Sequence, residues 1–149
     1  MANGSADQKG IYRILDANLN RAAEGLRVLE EISRFILNDR ALSSRLKTIR
    51  HKLNRKLKKL LSAGGKLIEA RDSKHDVGKA LRGAELVRKD IRDIFFANIQ
   101  RVKESVRVLE EFSKLINIKR ALDFKEIRYE IYGIEKSITK KMQALRHSR

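Results

Sequence analysis

The feature that most constrains this chain is an internal repeat. The stretch from Ala17 to Arg34 recurs without a gap from Ala97 to Lys114. Ten of the eighteen aligned positions are identical: Ala17, Asn18, Arg21, Glu24, Arg27, Val28, Leu29, Glu30, Glu31 and Ser33. Self-similarity of this kind means a fold built from two related units. In the first copy Leu15, Leu19, Ala22, Leu26, Leu29, Ser33 and Ile36 step alternately by four and three, and Phe95, Ile99, Val102, Val106, Leu109, Ser113 and Ile116 repeat the pattern. A period near 3.5 places these side chains on one seam of a helix packed against another helix. Packing does not account for Asn18, Arg21, Glu24, Arg27, Glu30 and Glu31, which recur on polar faces, so these residues are where chemistry is sought.

The repeat reaches beyond the first helices. Lys47 to His51 answers Lys125 to Tyr129 with an offset of 78 rather than 80. The repeating unit is therefore a helical hairpin, and the expected fold is all-α: two long hairpins closing a four-helix bundle with approximate internal two-fold symmetry. A first helix is expected from about Gly10–Tyr12 to Leu37, ended by Asn38-Asp39, which also caps the next helix. That second helix has the seam Leu42, Leu46, Ile49, Leu53, Leu57 and Leu60. Ser62-Ala63-Gly64-Gly65 is a stop, Lys66 to Ala70 a short turn, and Arg71 to Gly78 a polar loop. A long helix is expected from about Leu81 to Ile116, and a last one with the seam Leu122, Ile127, Ile131, Ile134 and Ile138. The expected organisation is a disordered lead over 1–9 and one helical domain over 10–140. That domain holds repeat units at about 11–62 and 81–140, with the connecting loop at 63–80. A frayed basic tail covers 141–149.

Composition narrows the function classes. The chain has no Cys, which excludes disulfides, thiolate metal sites and a Cys nucleophile. No apolar run approaches the roughly 20 residues that span a bilayer, and a soluble cytoplasmic protein with no membrane partner is expected. The net charge is +16, from 35 basic and 19 acidic residues. Arg40 to Ile68 holds ten basic residues and no acid, and the segment after Glu135 holds five and none, while the remainder is near neutral. Such a field attracts phosphates of any origin. The basic run from Lys47 to Lys59 lacks the aromatic platforms of single-strand binders, and no helix-turn-helix or zinc-finger spacing is present, so nucleic acid is disfavoured. GxxxxGK[S/T], GxGxxG and HExxH are also absent.

Each candidate site residue has two readings. Asn18 and Asn98 lie at the seam edge and Arg21 and Arg101 just beyond it. They either satisfy neighbouring backbone and cover the core, or line a polar pocket in which guanidinium forks hold a phosphorylated ligand. Arg27, Glu30, Glu31 and Arg34, like Arg107 in the second copy, are spaced for ion pairs along one helix, such as Arg27 with Glu31 and Glu30 with Arg34. Glu24 and Glu104 point away from the seam, as surface acids or as metal ligands facing a groove. Ser33 and Ser113 are assigned to close packing. The loop offers Arg71, Asp72, Lys74, His75, Asp76 and Gly78, a set suited to Mg²⁺-nucleotide chemistry or simply to turn formation.

The segments Arg13 to Glu31, Ala70-Arg71-Asp72 with Asp76-Val77-Gly78, and Ala97 to Glu111 resemble a small helical domain of thiamine biosynthesis. That family comprises hydroxymethylpyrimidine-phosphate kinases, found alone or fused ahead of thiamine-phosphate synthase. The resemblance spans about Tyr12 to Ile138, with one departure at Ser73-Lys74-His75, where the family commonly reads Thr-Pro-Gly. It implies phosphoryl transfer from ATP to 4-amino-5-hydroxymethyl-2-methylpyrimidine phosphate. Arg71, Asp72 and Asp76 would be catalytic, and Asn18, Arg21, Arg27, Asn98, Arg101 and Arg107 would bind substrate or phosphate. Asp72 and Asp76, with Glu24 or Glu104, would hold Mg²⁺. The partners implied are the phosphorylated pyrimidine, ATP and thiamine-phosphate synthase, and a homo-oligomer is compatible with the repeat. The rival reading is a non-catalytic helical module that regulates or scaffolds the synthase. A basic nucleic-acid binder is the remaining alternative.

Overall fold

A computed structural model describes residues 4–61, 65–80 and 83–147. Four long helices carry the architecture: α1 (Gly4–Glu31), α2 (Arg40–Leu61), then α4 (Ile91–Ser113) and α5 (Ile118–His147). Between the pairs lie a short α3 (Gly65–Ala70) and a 3₁₀ turn (Gly83–Leu86). The helices close a ring in which α1 packs on α2, α4 on α5, α1 on α4 and α2 on α5. The all-α bundle of two repeated hairpins is thus the observed fold. Lys56 reaches Asp123 while Lys52 reaches Glu126 and Glu130, so α2 and α5 run antiparallel.

The seams explain why the ring closes. Leu15, Ala22, Leu26 and Leu29 are fully buried, as are Phe95, Val102, Val106 and Leu109 of the second copy. All six seam residues of α2 are buried. Each large aliphatic side chain removed from water contributes about 1.5–3 kcal/mol. Gly25 sits where α1 crosses α4: a Cβ placed there would lie 2.6 Å from Val102 Cγ2 and 3.3 Å from the Asn98 carbonyl oxygen. The matching position of the second copy holds the small, buried Ser105.

Several boundaries differ from those the sequence suggests. α1 begins at Gly4, within the lead expected to be disordered, and the Gln8 amide donates one turn on to the Tyr12 hydroxyl. α4 begins at Ile91 rather than near Leu81, because Asp90 caps it. The Asp90 carboxylate accepts from Asp93 N–H while Asp93 accepts from Lys89 N–H, a reciprocal arrangement that fixes the helix start. α5 runs on to His147 through the tail expected to fray. Its seam uses Ala121 and Phe124, and Leu122 is 59% exposed. Ile36 and Ile116, at the ends of the two first-helix seams, are also exposed. The stop at Ser62-Ala63-Gly64 lies outside the described residues.

The first hairpin turn is the least regular place in the bundle. After Glu31 the helix widens into a π-helical turn over Ile32–Ile36. Asn38 then adopts a left-handed φ of 51°, which Asn tolerates better than most residues. As expected, Asp39 caps α2, accepting from Leu42 N–H at 2.9 Å. It also pairs with Lys141 of α5.

Candidate functional site

The polar side of α1 and the segment after α3 enclose the one place where many of the candidate residues meet. Asn18, Arg21, Arg71, Asp72 and Asp76 line a cavity of about 520 Å³ together with Arg13 and Asp16. Helical spacing brings Arg13, Asp16 or Ala17, and then Asn20 or Arg21, to the same side of α1 at successive turns. The short α3 packs on α1 and carries the chain back so that Arg71 reaches it.

The anchor of this cavity is an ion pair. Arg71 Nε and Nη2 donate to the two carboxylate oxygens of Asp16, each at 2.7 Å. The Asp16 side chain is 7% exposed and that of Arg71 is 44% exposed. The hydrogen bonds and charge of Asp16 raise the pKa of the Arg71 guanidinium above its ordinary value. A bidentate fork of this kind fixes geometry as well as charge. It also turns the donor face of Arg71 that meets Asp16 away from any ligand. Asn20 lies 3.5 Å from the same carboxylate.

The loop is held by its own residues. Asp72 accepts from both the backbone N–H and the ring Nδ1 of His75, and the side-chain bond is the main reason its carboxyl is held below the usual carboxylate range. Asp76 accepts from Gly78 N–H at 2.8 Å, an Asx-type turn. Lys79 Nζ donates to the Lys74 carbonyl. Of the acids expected to hold Mg²⁺, Asp72 and Asp76 both line the cavity, while Glu24 and Glu104 are not among its lining residues. Among the described residues no three His, Asp or Glu side chains are grouped so as to hold a metal ion. Glu24 and Glu104 are exposed, and Glu104 accepts from Gln100.

The remaining repeated polar residues serve the hairpins. Asn18 and Asn98 each donate 2.8 Å back to the carbonyl four residues earlier, Ile14 and Ile94. Arg27 and Arg107 are committed to Glu30 with Glu31 and to Glu110 with Glu111. Glu30 and Glu110 are themselves buried and take a second guanidinium from the facing helix, Arg50 for Glu30 and Arg128 for Glu110. This staple was legible in the sequence only as Arg27 with Glu31. The Arg34 partner expected for Glu30 instead stacks on Phe35. Arg21 and Arg101 are exposed and carry no hydrogen bond or ion pair among the described residues. Arg101, Asn98 and Arg107 are not among the residues lining the cavity.

Only the first copy builds the cavity. Where it has Arg13 and Asp16, the second copy has Asp93 and Phe96, eighty positions on. Asp16 is the residue that sequence reasoning overlooked. Its signal was an acid immediately following a seam leucine, a place where burial demands a partner.

Against known proteins, the ThiD2 family pattern matches residues 13–137. The chain belongs to the ThiD2 family. Its relatives include a thiamine-phosphate synthase of Rhodopirellula baltica, 40% identical over 142 residues that make up 95% of this chain and 37% of that protein. A thiamine-phosphate synthase of Synechocystis sp. is 42% identical over 134 residues, 89% of this chain and 37% of that protein. One of Nostoc sp. is 40% identical over 145 residues, covering 95% and 40%. The chain thus spans a little over a third of the length of the curated relatives it matches. No solved structure matches it.

These findings correct the functional expectation. The matched relatives bear the name of a synthase and not of a kinase, so the phosphotransferase reading drawn from the resemblance is overturned. Arg71, Asp72 and Asp76 are engaged with Asp16, His75 and Gly78, and most of the repeated polar residues are spent on the hairpins. The link to thiamine biosynthesis stands. Among the described residues no helix is long and apolar enough to cross a membrane.

Proposed function

We propose that this ThiD2-family chain is a non-catalytic helical module that works with thiamine-phosphate synthase. The observation that carries the reading is the match itself: nearly the whole chain aligns at about 40% identity with a little over a third of proteins named for that enzyme. In those relatives the counterpart of this chain is joined to further sequence. The helical unit would act beside the synthase. The geometry supports the reading because several polar residues of the repeat join the helices of each hairpin: Glu30 and Glu110 each bind one arginine of their own helix and one of the facing helix.

Mixing the chain with thiamine-phosphate synthase from the same source tests this. Sedimentation velocity is expected to show a complex of defined stoichiometry, and the rate of the synthase is expected to change on addition of the chain. Absence of both would sink the reading. Release of ADP from Mg-ATP by the chain alone, dependent on a pyrimidine phosphate, would overturn its non-catalytic character.

A further inference from the structure

The two helices that follow the hairpin turns are related by the repeat, yet they differ in charge: the acids of α5 pair with cations of α2 and α4, and α2 offers none in return. α5 interleaves four acids (Asp123, Glu126, Glu130 and Glu135) with its cations. α2 has nine Lys and Arg and no acid. Three of those nine turn inward to acids on neighbouring helices: Arg50 to Glu30, Lys52 to Glu126 and Glu130, and Lys56 to Asp123. Bundle closure therefore explains the inner cations of α2 and leaves the outer ones unexplained.

Arg40, Lys47, Arg55, Lys58 and Lys59 are exposed and have no ion-pair partner among the described residues. At 100° per residue they fall on the side of α2 opposite Leu42, Ile49 and Leu53. From Arg40 to Lys58 the ridge is about 27 Å long at 1.5 Å per residue. Two shallow clefts run along it. One, of about 480 Å³, is lined by Arg34, Arg40 and Lys47 together with Ser43, Ser44 and Asp39. The other, of about 640 Å³, is lined by Thr48, His51, Asn54, Arg55 and Lys58. Each cleft thus sets cations beside hydrogen-bonding groups, and the one acid among them, Asp39 of the first, is already paired with Lys141.

We propose that the outer face of α2 is a docking surface for an acidic face of a protein partner, with carboxylates seated in the two clefts. The inference rests on the reading above, which supplies the synthase as that partner. The ridge suits a protein better than a nucleic acid. Its cations are spread along 27 Å among neutral residues, a density that side-chain carboxylates on a folded surface can match. Duplex DNA presents a charge about every 1.7 Å. Among the described residues the ridge exposes no Phe, Tyr or Trp on which a base could stack, His51 being its one exposed ring.

The test uses the full chain and the synthase from the same source, with affinity read by biolayer interferometry. Lys47→Glu/Arg55→Glu/Lys58→Glu is expected to bind at least tenfold more weakly than wild type. Lys47→Gln/Arg55→Gln/Lys58→Gln is expected to fall between them, and serves if charge reversal perturbs folding by circular dichroism. Lys125→Glu/Lys136→Glu, at the repeat-related positions of α5, is expected to bind like wild type. Wild-type binding is also expected to weaken as salt rises and the Debye length shortens. Full affinity in both α2 variants would overturn this surface while leaving the module reading intact. No binding by wild type even at low salt would overturn both. Tighter binding to a 20-base-pair duplex than to the synthase, lost in the same variants, would overturn the protein partner.

Discussion

Asp16 illustrates how much one side chain organises here. Its carboxylate is buried against α1 and holds the segment after α3 through both arms of Arg71. Asp16→Asn removes the charge and leaves one of those donors poorly paired, at a cost of about 1–3 kcal/mol. A lowered melting temperature should be accompanied by faster proteolysis after Arg71, because the tether and not just the core is weakened. Glu110 makes a different prediction. Burial pushes its carboxyl pKa up, but the hydrogen bonds and charges of Arg128 and Arg107 outweigh that, and the net shift is downward. A carboxylate with a depressed folded pKa contributes stability above its unfolded pKa and loses it as pH falls through the folded one. Denaturant titrations should show wild type well above Glu110→Gln near neutral pH, with the gap closing as pH falls below the ordinary carboxylate range. A gap independent of pH would mean that the pair is not what stabilises this hairpin. At this scale the sequence was a partial guide. It marked Glu30 and Glu110 as repeated, but ion-pair spacing along one helix cannot see Arg50 or Arg128 on the next.

Helix crossings show where spacing rules succeed. The alternating steps of four and three put Leu15, Ala22, Leu26 and Leu29 in the core, as the periodicity requires. Gly25 lies one residue before a seam leucine, at a place where α4 leaves no room for a side chain on α1. Replacing it with Val brings methyl groups against Val102 and the Asn98 carbonyl, and overpacking of this kind costs about 1–3 kcal/mol despite the gain in helix propensity over Gly. Equilibrium unfolding of Gly25→Val measures it; an unchanged midpoint would show that the crossing can open without cost. The helix ends were less legible. α4 begins ten residues later than apolar periodicity alone suggests, since the decisive signal was a pair of short acids, Asp90 and Asp93. Asp90→Ala is expected to cost about 1 kcal/mol.

For the molecule as a whole, charge matters more than any single pair. A net charge of +16 on 149 residues repels itself, and the concentration of cations on α2 leaves much of that repulsion unneutralised. The melting temperature should rise by a few degrees between about 20 and about 200 mM NaCl as screening shortens the range of the field. Calorimetry should show one transition, because α1 with α4 and α2 with α5 join the hairpins on two sides. Two separate peaks would indicate halves that fold independently. The bundle and its pseudo-symmetry were readable from the repeat, whereas the restriction of the cavity to the first half was not. That restriction depends on Asp16 and Arg13 having Phe96 and Asp93 as their counterparts.

The π-helical turn over Ile32–Ile36 bears on how such halves diverge. First helices correspond at an offset of 80 and second helices at 78, so the earlier hairpin carries two more residues between its helices than the later one. A widened turn and a left-handed Asn38 take up that surplus locally, and the buried leucines of α2 keep their places. Length differences accumulated after a duplication are thereby confined to a corner of the molecule. Twin halves freed from matching each other at their tips need agree only along their shared seam, and elsewhere each can acquire a trade of its own.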